Sequence, residues 1–231
     1  MLSRLQAVES RILRAVQQSG RERSEIMLVA VSKKFSAQRI REAYEAGLRE
    51  FGENYIQEFA AKRAALSGLS GARFHFIGHL QSNKAKLACD LFDVVQTADS
   101  AKLLQRLDAA AAEGNKTMEV LIELKLSGEE AKAGVKPEEL PEMLDAAKGC
   151  TRLKVSGLMT MPPWSDDPER SRPYFQQLAK LARQYKLPQL SMGMSGDFEV
   201  AIQEGATIIR VGTALFGRRP KPEETQAPLA S

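Results

Sequence analysis

Eight short apolar runs punctuate the chain, each separated from the next by a stretch with helical spacing, and the unit repeats roughly every 25 residues. The runs cover 26–31, 48–51, 73–77, 92–96, 118–126, 153–158, 189–192 and 207–211. Strands that alternate with helices pair in parallel, because a crossover long enough to hold a helix returns the chain in the same direction. Eight such units give the count of a (β/α)8 TIM barrel in the α/β class. An open doubly wound sheet, usually with fewer strands, is the alternative. An extra N-terminal helix precedes the first strand: Leu2, Leu5, Val8, Ile12 and Val16 recur at spacings of three and four, with Gly20 as the stop. Helical patterns at 37–46, closed by Gly47, and at 170–184 lie between later runs, and Ser36, Asp99 and Pro137 mark helix starts. No composition break marks a linker, so a single domain over 1–231 is expected. Within it, 218–231 reads as a loose tail, with Pro220, Pro222 and Pro228 among charges.

Charge and composition remove several function classes. Basic residues exceed acidic ones by only 33 to 29, a net +4 spread along the chain, which does not mark a nucleic-acid protein. Aromatics at 6% are too sparse for single-strand stacking platforms. Cys89 and Cys150 form no CxxC pair, which fits a reducing compartment and leaves no disulfide framework or zinc knuckle. The longest apolar run, 26–31, falls far short of the ~20 residues that span a bilayer. Glu9, Arg11 and Arg14 interrupt the segment where a secretory leader needs an apolar core. The expectation is a cytoplasmic protein, a monomer, with no nucleic-acid or membrane partner.

Ligands of parallel α/β folds bind beyond the carboxyl ends of the strands, so the residues that follow each run carry the functional information. Lys33 follows the first run. Partial burial there depresses an amine's pKa and makes it a better nucleophile toward an aldehyde; a lysine that caps the strand and reaches water is the plainer reading. Lys34 is the adjacent rival, and strand alternation sends the two to opposite faces without saying which points inward. Gly52, Glu53 and Asn54 follow the second run, and Gly78 and His79 the third. Met194, Ser195, Gly196 and Asp197 follow the seventh and lead into a helical stretch at 198–203, while Gly212 and Thr213 follow the eighth. Each of these last two turns pairs a hydroxyl with a glycine at a helix start, which suits a phosphate or, alternatively, a plain N-cap. Arg210 lies inside an apolar strand and needs a partner, either an ion pair with Glu53 or Glu123 or a ligand. His75 and His79 straddle a strand end with no third ligand nearby, so His75 reads as a packed residue, His79 as a hydrogen-bonding residue at the site mouth, and no metal is expected. Hydrolase elbow, Walker loop and dinucleotide fingerprint are all missing.

Five ordered motifs carry a family resemblance over almost the whole chain: Ala30-Val31-Ser32-Lys33, Phe51-Gly52-Glu53-Asn54-Tyr55, His75-Phe76-Ile77-Gly78-His79-Leu80-Gln81, Ser191-Met192-Gly193-Met194-Ser195, and Arg210-Val211-Gly212-Thr213-Ala214-Leu215-Phe216-Gly217. Together they resemble the pyridoxal 5′-phosphate homeostasis proteins, a family related to the barrel domain of alanine racemases. The resemblance implies that Lys33, not Lys34, forms a Schiff base with pyridoxal 5′-phosphate. It also implies that Ser195, Gly212 and Thr213 hold the phosphate with help from Gly196, that Arg210 faces the pyridine nitrogen, that Asn54 and His79 line the ring, and that Met194 belongs to the cofactor site. The implied role is buffering the cofactor and delivering it, with apo pyridoxal-phosphate enzymes as candidate recipients, without catalysis.

Two other classes compete. A pyridoxal-phosphate amino-acid racemase needs two opposed bases, and related racemases draw the second from a separate β domain for which these 231 residues leave no room. A cofactor-free Schiff-base aldolase would use the same lysine and phosphate turn. The segment 127–136, with Gly128 and Gly134 flanking Lys132, reads as a loop in which Lys132 could take the aldehyde in transit.

Overall fold

The computed structural model describes residues 1–128 and 133–218. Its strands are β1 (Met27–Val31), β2 (Glu50–Glu53), β3 (Arg73–Phe76), β4 (Val94–Ala98), β5 (Met118–Glu123), β6 (Leu153–Met159), β7 (Gln189–Ser191) and β8 (Ile208–Val211). They close into one parallel barrel in sequence order, and β8 pairs back onto β1 with Val29 opposite Arg210. The helices are α1 (Leu2–Gln18), α2 (Ala37–Glu45), α3 (Ile56–Arg63), α4 (Ala85–Leu91), α5 (Ala101–Glu113), α6 (Leu140–Lys148), α7 (Arg172–Gln184), α8 (Phe198–Gln203) and α9 (Thr213–Phe216). The barrel and its leading helix are those expected from the repeat.

Element bounds differ where tertiary pairing overrides the apolar run. The second and fourth strands begin two residues later than their runs, because Glu50–Glu53 is the stretch that meets Arg73–Phe76, and His75 and Phe76 meet Val94 and Val95. Leu48 and Phe92 are buried in the shell between strands and helices instead. The fifth run loses its ladder after Glu123, where Leu124 bridges only Val135. Ser100, not Asp99, caps α5, its hydroxyl accepting from Leu103 N–H at 3.3 Å, since Asp99 turns toward His79. The helix expected from residue 170 starts at Arg172, after a 3-10 turn at Pro168–Ser171.

Two apolar layers hold the barrel. The larger lies between strands and helices; there Phe51, Phe74, Phe59 and Phe92 stack at centroid distances of 4.7–5.7 Å and seat α3 on β2 and β3. The smaller joins Val29, Val94, Leu121, Met159 and Ile208, contributed by five strands, into one cluster inside the barrel. The apolar face of α1, with Val8, Ile12, Ala15 and Val16 buried, packs on α8 and α9. Among the described residues no helix is long and apolar enough to cross a membrane, and no cluster of three or more His, Cys, Asp or Glu is placed to hold a metal. Cys89 and Cys150 are buried free thiols.

Candidate functional site

At the carboxyl ends of the strands a cavity of about 360 Å³ opens between β1, β2, β7 and β8. Lys33, Asn54, Met194, Ser195, Gly196, Arg210, Gly212 and Thr213 all line it. His79 does not. Its imidazole is 61% exposed, sits 3.3 Å from Asp99, and borders two smaller cavities to the side. Lys132 lies outside the described residues. The sequence reading missed Met161, Pro163 and Trp164, which wall the cavity from the turn after β6; applying the strand-end rule to the sixth run would have found them.

The two lysines are separated by a turn, not by strand alternation. The strand stops at Val31, Phe35 N–H closes onto the Ser32 carbonyl at 3.1 Å, and Lys34 takes φ 65°. Lys33 thereby faces the cavity. The Lys34 N–H donates to Glu58 at 2.7 Å, and its ammonium lies 6.0 Å from the Tyr55 ring. Helix α3 clamps this turn from behind. The Lys62 ammonium donates to the carbonyls of Ser32 (3.3 Å) and Phe35 (3.0 Å) and pairs with Glu58 (2.9 Å) and Glu53 (2.8 Å). Glu53 is fully buried and also accepts from the Ser32 hydroxyl at 2.6 Å; burial raises its pKa against the pull of Lys62.

Ser195 serves a turn other than its own. It does not cap α8, whose first turn is organised by Asp197: one carboxylate oxygen accepts from Met194 N–H (2.7 Å), the other from the Ser171 hydroxyl (2.8 Å). The Ser195 hydroxyl instead reaches across to the β8 turn and accepts from Gly212 N–H (3.3 Å) and Ala214 N–H (3.5 Å). Both bonds are long, so these donors remain open to a stronger acceptor. Arg11 of α1 braces the same loop, donating to the Ser195 carbonyl at 3.1 Å while holding Glu199 at 2.5 and 2.8 Å. Gly193 allows the loop to leave β7 at φ 91°, where a Cβ would stand 2.6 Å from that of Ala201.

Arg210 forms a direct ion pair with neither Glu53 nor Glu123: Glu53 is held by Lys62, and Glu123 acts on the guanidinium only through its charge. Its guanidinium, almost fully buried, donates to the Ser191 hydroxyl (2.6 Å) and the Thr160 carbonyl (2.9 Å). Burial lowers its pKa to about 10, resisted by Glu123, so it stays a cation at neutral pH. Burial pushes the Glu123 carboxyl the other way, up to about 7, opposed by Arg210 and reinforced by Asp99.

The family model "Alanine racemase, N-terminal domain" matches residues 3–220. A pyridoxal phosphate homeostasis protein of Aquifex aeolicus is 44% identical over 94% of this chain and 97% of its own length. Its namesake in Pseudomonas aeruginosa is 42% identical over 92% and 93%. The chain belongs to the pyridoxal phosphate homeostasis protein family. Among solved structures, Synechococcus elongatus PipY with pyridoxal phosphate bound superposes with TM-score 0.79 at 38% identity, covering 90% of this chain and all of that one. A Clostridium difficile alanine racemase matches at TM-score 0.68 but 14% identity, covering 96% of this chain and 58% of the racemase, a likeness of fold alone. In this member of the homeostasis family the buried Asn54 amide oxygen has no hydrogen-bond partner, and the Asn54 backbone is pressed against Gly78, where a Cβ would lie 2.2 Å from the Asn54 carbonyl oxygen.

Proposed function

We propose that this chain binds pyridoxal 5′-phosphate through Lys33 and serves intracellular homeostasis of that cofactor, storing it and passing it to apo-enzymes without turning over a substrate. The observation that carries this reading is the convergence of an amine, a buried guanidinium and an anion-ready turn on one cavity. The donor set fits the cofactor group by group. Gly212 and Ala214 N–H groups, now weakly engaged by Ser195, suit a phosphate together with the Ser195 and Thr213 hydroxyls. When bound, the cofactor supplies an aldehyde that captures amines, and Lys33 is the amine on this wall of the cavity. Arg210 can only donate, so a ring nitrogen facing it stays unprotonated and the ring is a weak electron sink.

Binding without turnover also agrees with the groups at hand. A racemase needs two bases on opposite sides of a carbon. Among the described residues lining the cavity, Lys33 is the one amine, and the Asp197 carboxylate is engaged by Met194 and Ser171. Two buried free thiols fit a reducing interior.

The protein reconstituted with pyridoxal phosphate should show a visible absorption band that borohydride abolishes and Lys33→Ala lacks. Trp164, the chain's one tryptophan, stands at the cavity rim and should be quenched on binding in both proteins. A protein that stays colourless and unquenched overturns the reading and leaves the cofactor-free aldolase. Exchange of the α-hydrogen of L-amino acids in deuterated water, with racemisation, would overturn the non-catalytic part and install the racemase.

A further inference from the structure

Polar side chains run in single file through the barrel interior, from its amino-terminal face to Arg210. The Arg210 guanidinium donates to the Ser191 hydroxyl at 2.6 Å, and Ser191 donates to the Gln96 amide oxygen at 2.6 Å. The Gln96 amide nitrogen meets His75 Nδ1 at 2.9 Å, and His75 Nε2 meets a Glu50 carboxylate oxygen at 2.6 Å. Five strands contribute one residue each: β8, β7, β4, β3 and β2. Arg210, Ser191, Gln96 and His75 are all buried, whereas the Glu50 side chain is 20% exposed at the far end. There Glu50 lies 3.8 Å from Arg73, which pairs with Glu119 at 2.8 Å.

The chain has one direction. Arg210 can only donate, so Ser191 accepts from it and must give its own proton to Gln96. The Gln96 amide then presents its NH2 to His75 Nδ1, and the imidazole is left with its proton on Nε2, aimed at Glu50. Each link of the file thus pairs one donor with one acceptor. Reversing the Gln96 amide would set two donors against Ser191 and leave its hydroxyl proton without an acceptor in that direction. Unpaired polar groups in such surroundings are costly, so the file holds as a unit or fails as one.

We propose that Ser191, Gln96, His75 and Glu50 are positioning residues for Arg210, a hydrogen-bonded brace that fixes the guanidinium plane from the opposite face of the barrel. This rests on the reading above, in which Arg210 meets the cofactor's ring nitrogen. The brace and the Thr160 carbonyl hold Arg210 from two sides, so its remaining N–H groups are presented to the cavity. Breaking the file in the middle loosens Arg210 without touching the cavity wall.

The test compares wild type, Ser191→Ala and Gln96→Leu, with folding checked by circular dichroism. In the cofactor-free protein, NMR should find His75 as the neutral Nε2–H tautomer. Solvent exchange of the Arg210 guanidinium N–H groups should be faster by about tenfold in both variants, the factor that corresponds to one hydrogen bond of ordinary strength. In the pyridoxal-phosphate-loaded protein, the pH midpoint of the bound cofactor's absorption change should move by about half a unit or more, because a loosened Arg210 lets the ring nitrogen compete for a proton. Unchanged Arg210 exchange in folded Gln96→Leu overturns the brace, as does an unchanged absorption profile in a variant that still binds. If Gln96→Leu fails to fold, the single-atom deletion Ser191→Ala decides. If the wild type itself binds no pyridoxal phosphate, the functional reading fails, and the cofactor-free NMR comparison still decides the brace.

Discussion

Lys33 owes its place at the cavity to the turn that follows its strand, and that turn is held by Lys62 and Glu58 from a neighbouring helix. The lysine itself was legible because it follows an apolar run; its direction was not, because the partners that fix it lie 24 or more residues away. Ser195 tells the same story: its place at the start of α8 suited a phosphate or a plain cap, and its hydroxyl is found bonded to the β8 turn. With its hydroxyl on the Gly212 and Ala214 N–H groups that we propose hold the phosphate, Ser195→Ala should weaken pyridoxal phosphate binding by about tenfold, the worth of one hydrogen bond to a charged group, while binding of pyridoxal, which lacks the phosphate, stays the same. Titration of Trp164 fluorescence with the two ligands checks this. Glu123 supports a prediction of another kind. Its carboxyl is raised by burial from 4.5 to about 7, so the folded state holds the proton more tightly than the unfolded one. Stability that is fully present below about pH 4.5 is therefore lost as pH rises through 7, by on the order of 3 kcal/mol. Glu123→Gln should remove that loss: urea midpoints of variant and wild type should agree near pH 4.5 and diverge in the variant's favour by pH 8.

At the scale of elements, all eight strands were legible from the apolar runs, and their edges were not. A run marks what is buried, while a strand ends where its neighbour stops pairing, as β2 and β4 show. Turn chemistry was legible in part: Ser36 caps α2, accepting from Arg39 N–H at 3.4 Å, but Asp99 gave way to Ser100 at α5. Close contacts between turns belong to this scale too. A Cβ at Gly78 would overlap the Asn54 carbonyl, backbone against backbone, so Gly78→Ala should cost about 2 kcal/mol or more by urea denaturation. It should also weaken cofactor binding, because Asn54 must move. Arg11 links α1 to the Ser195 loop through partly exposed groups, so Arg11→Ala should cost only about 1 kcal/mol in stability. A decrease in phosphate-dependent affinity larger than that would mark the loop as the part it braces.

Closure is the property of the whole molecule on which the site depends, since Arg210 and Lys33 face one cavity only because β8 pairs back onto β1. The leading helix belongs to the same assembly. Val8, Ile12 and Val16 are each about fully buried against α8 and α9, and aliphatic burial stabilises by about 1.5–3 kcal/mol per side chain. Deleting residues 1–20 should leave a chain that binds a hydrophobic dye and melts about 10 °C lower or more by calorimetry.

The sequence by itself determined the barrel, since eight apolar runs at a regular spacing admit few other closures, and it determined which residues stand at the strand ends, since chain order alone places them there. It could not determine what those residues bond. Ser191 and Gln96 are 95 positions apart, and Arg210 and Thr160 are 50 apart. Only closing the sheet brings such pairs within hydrogen-bond reach, because a barrel interior joins strands that share no neighbourhood along the chain.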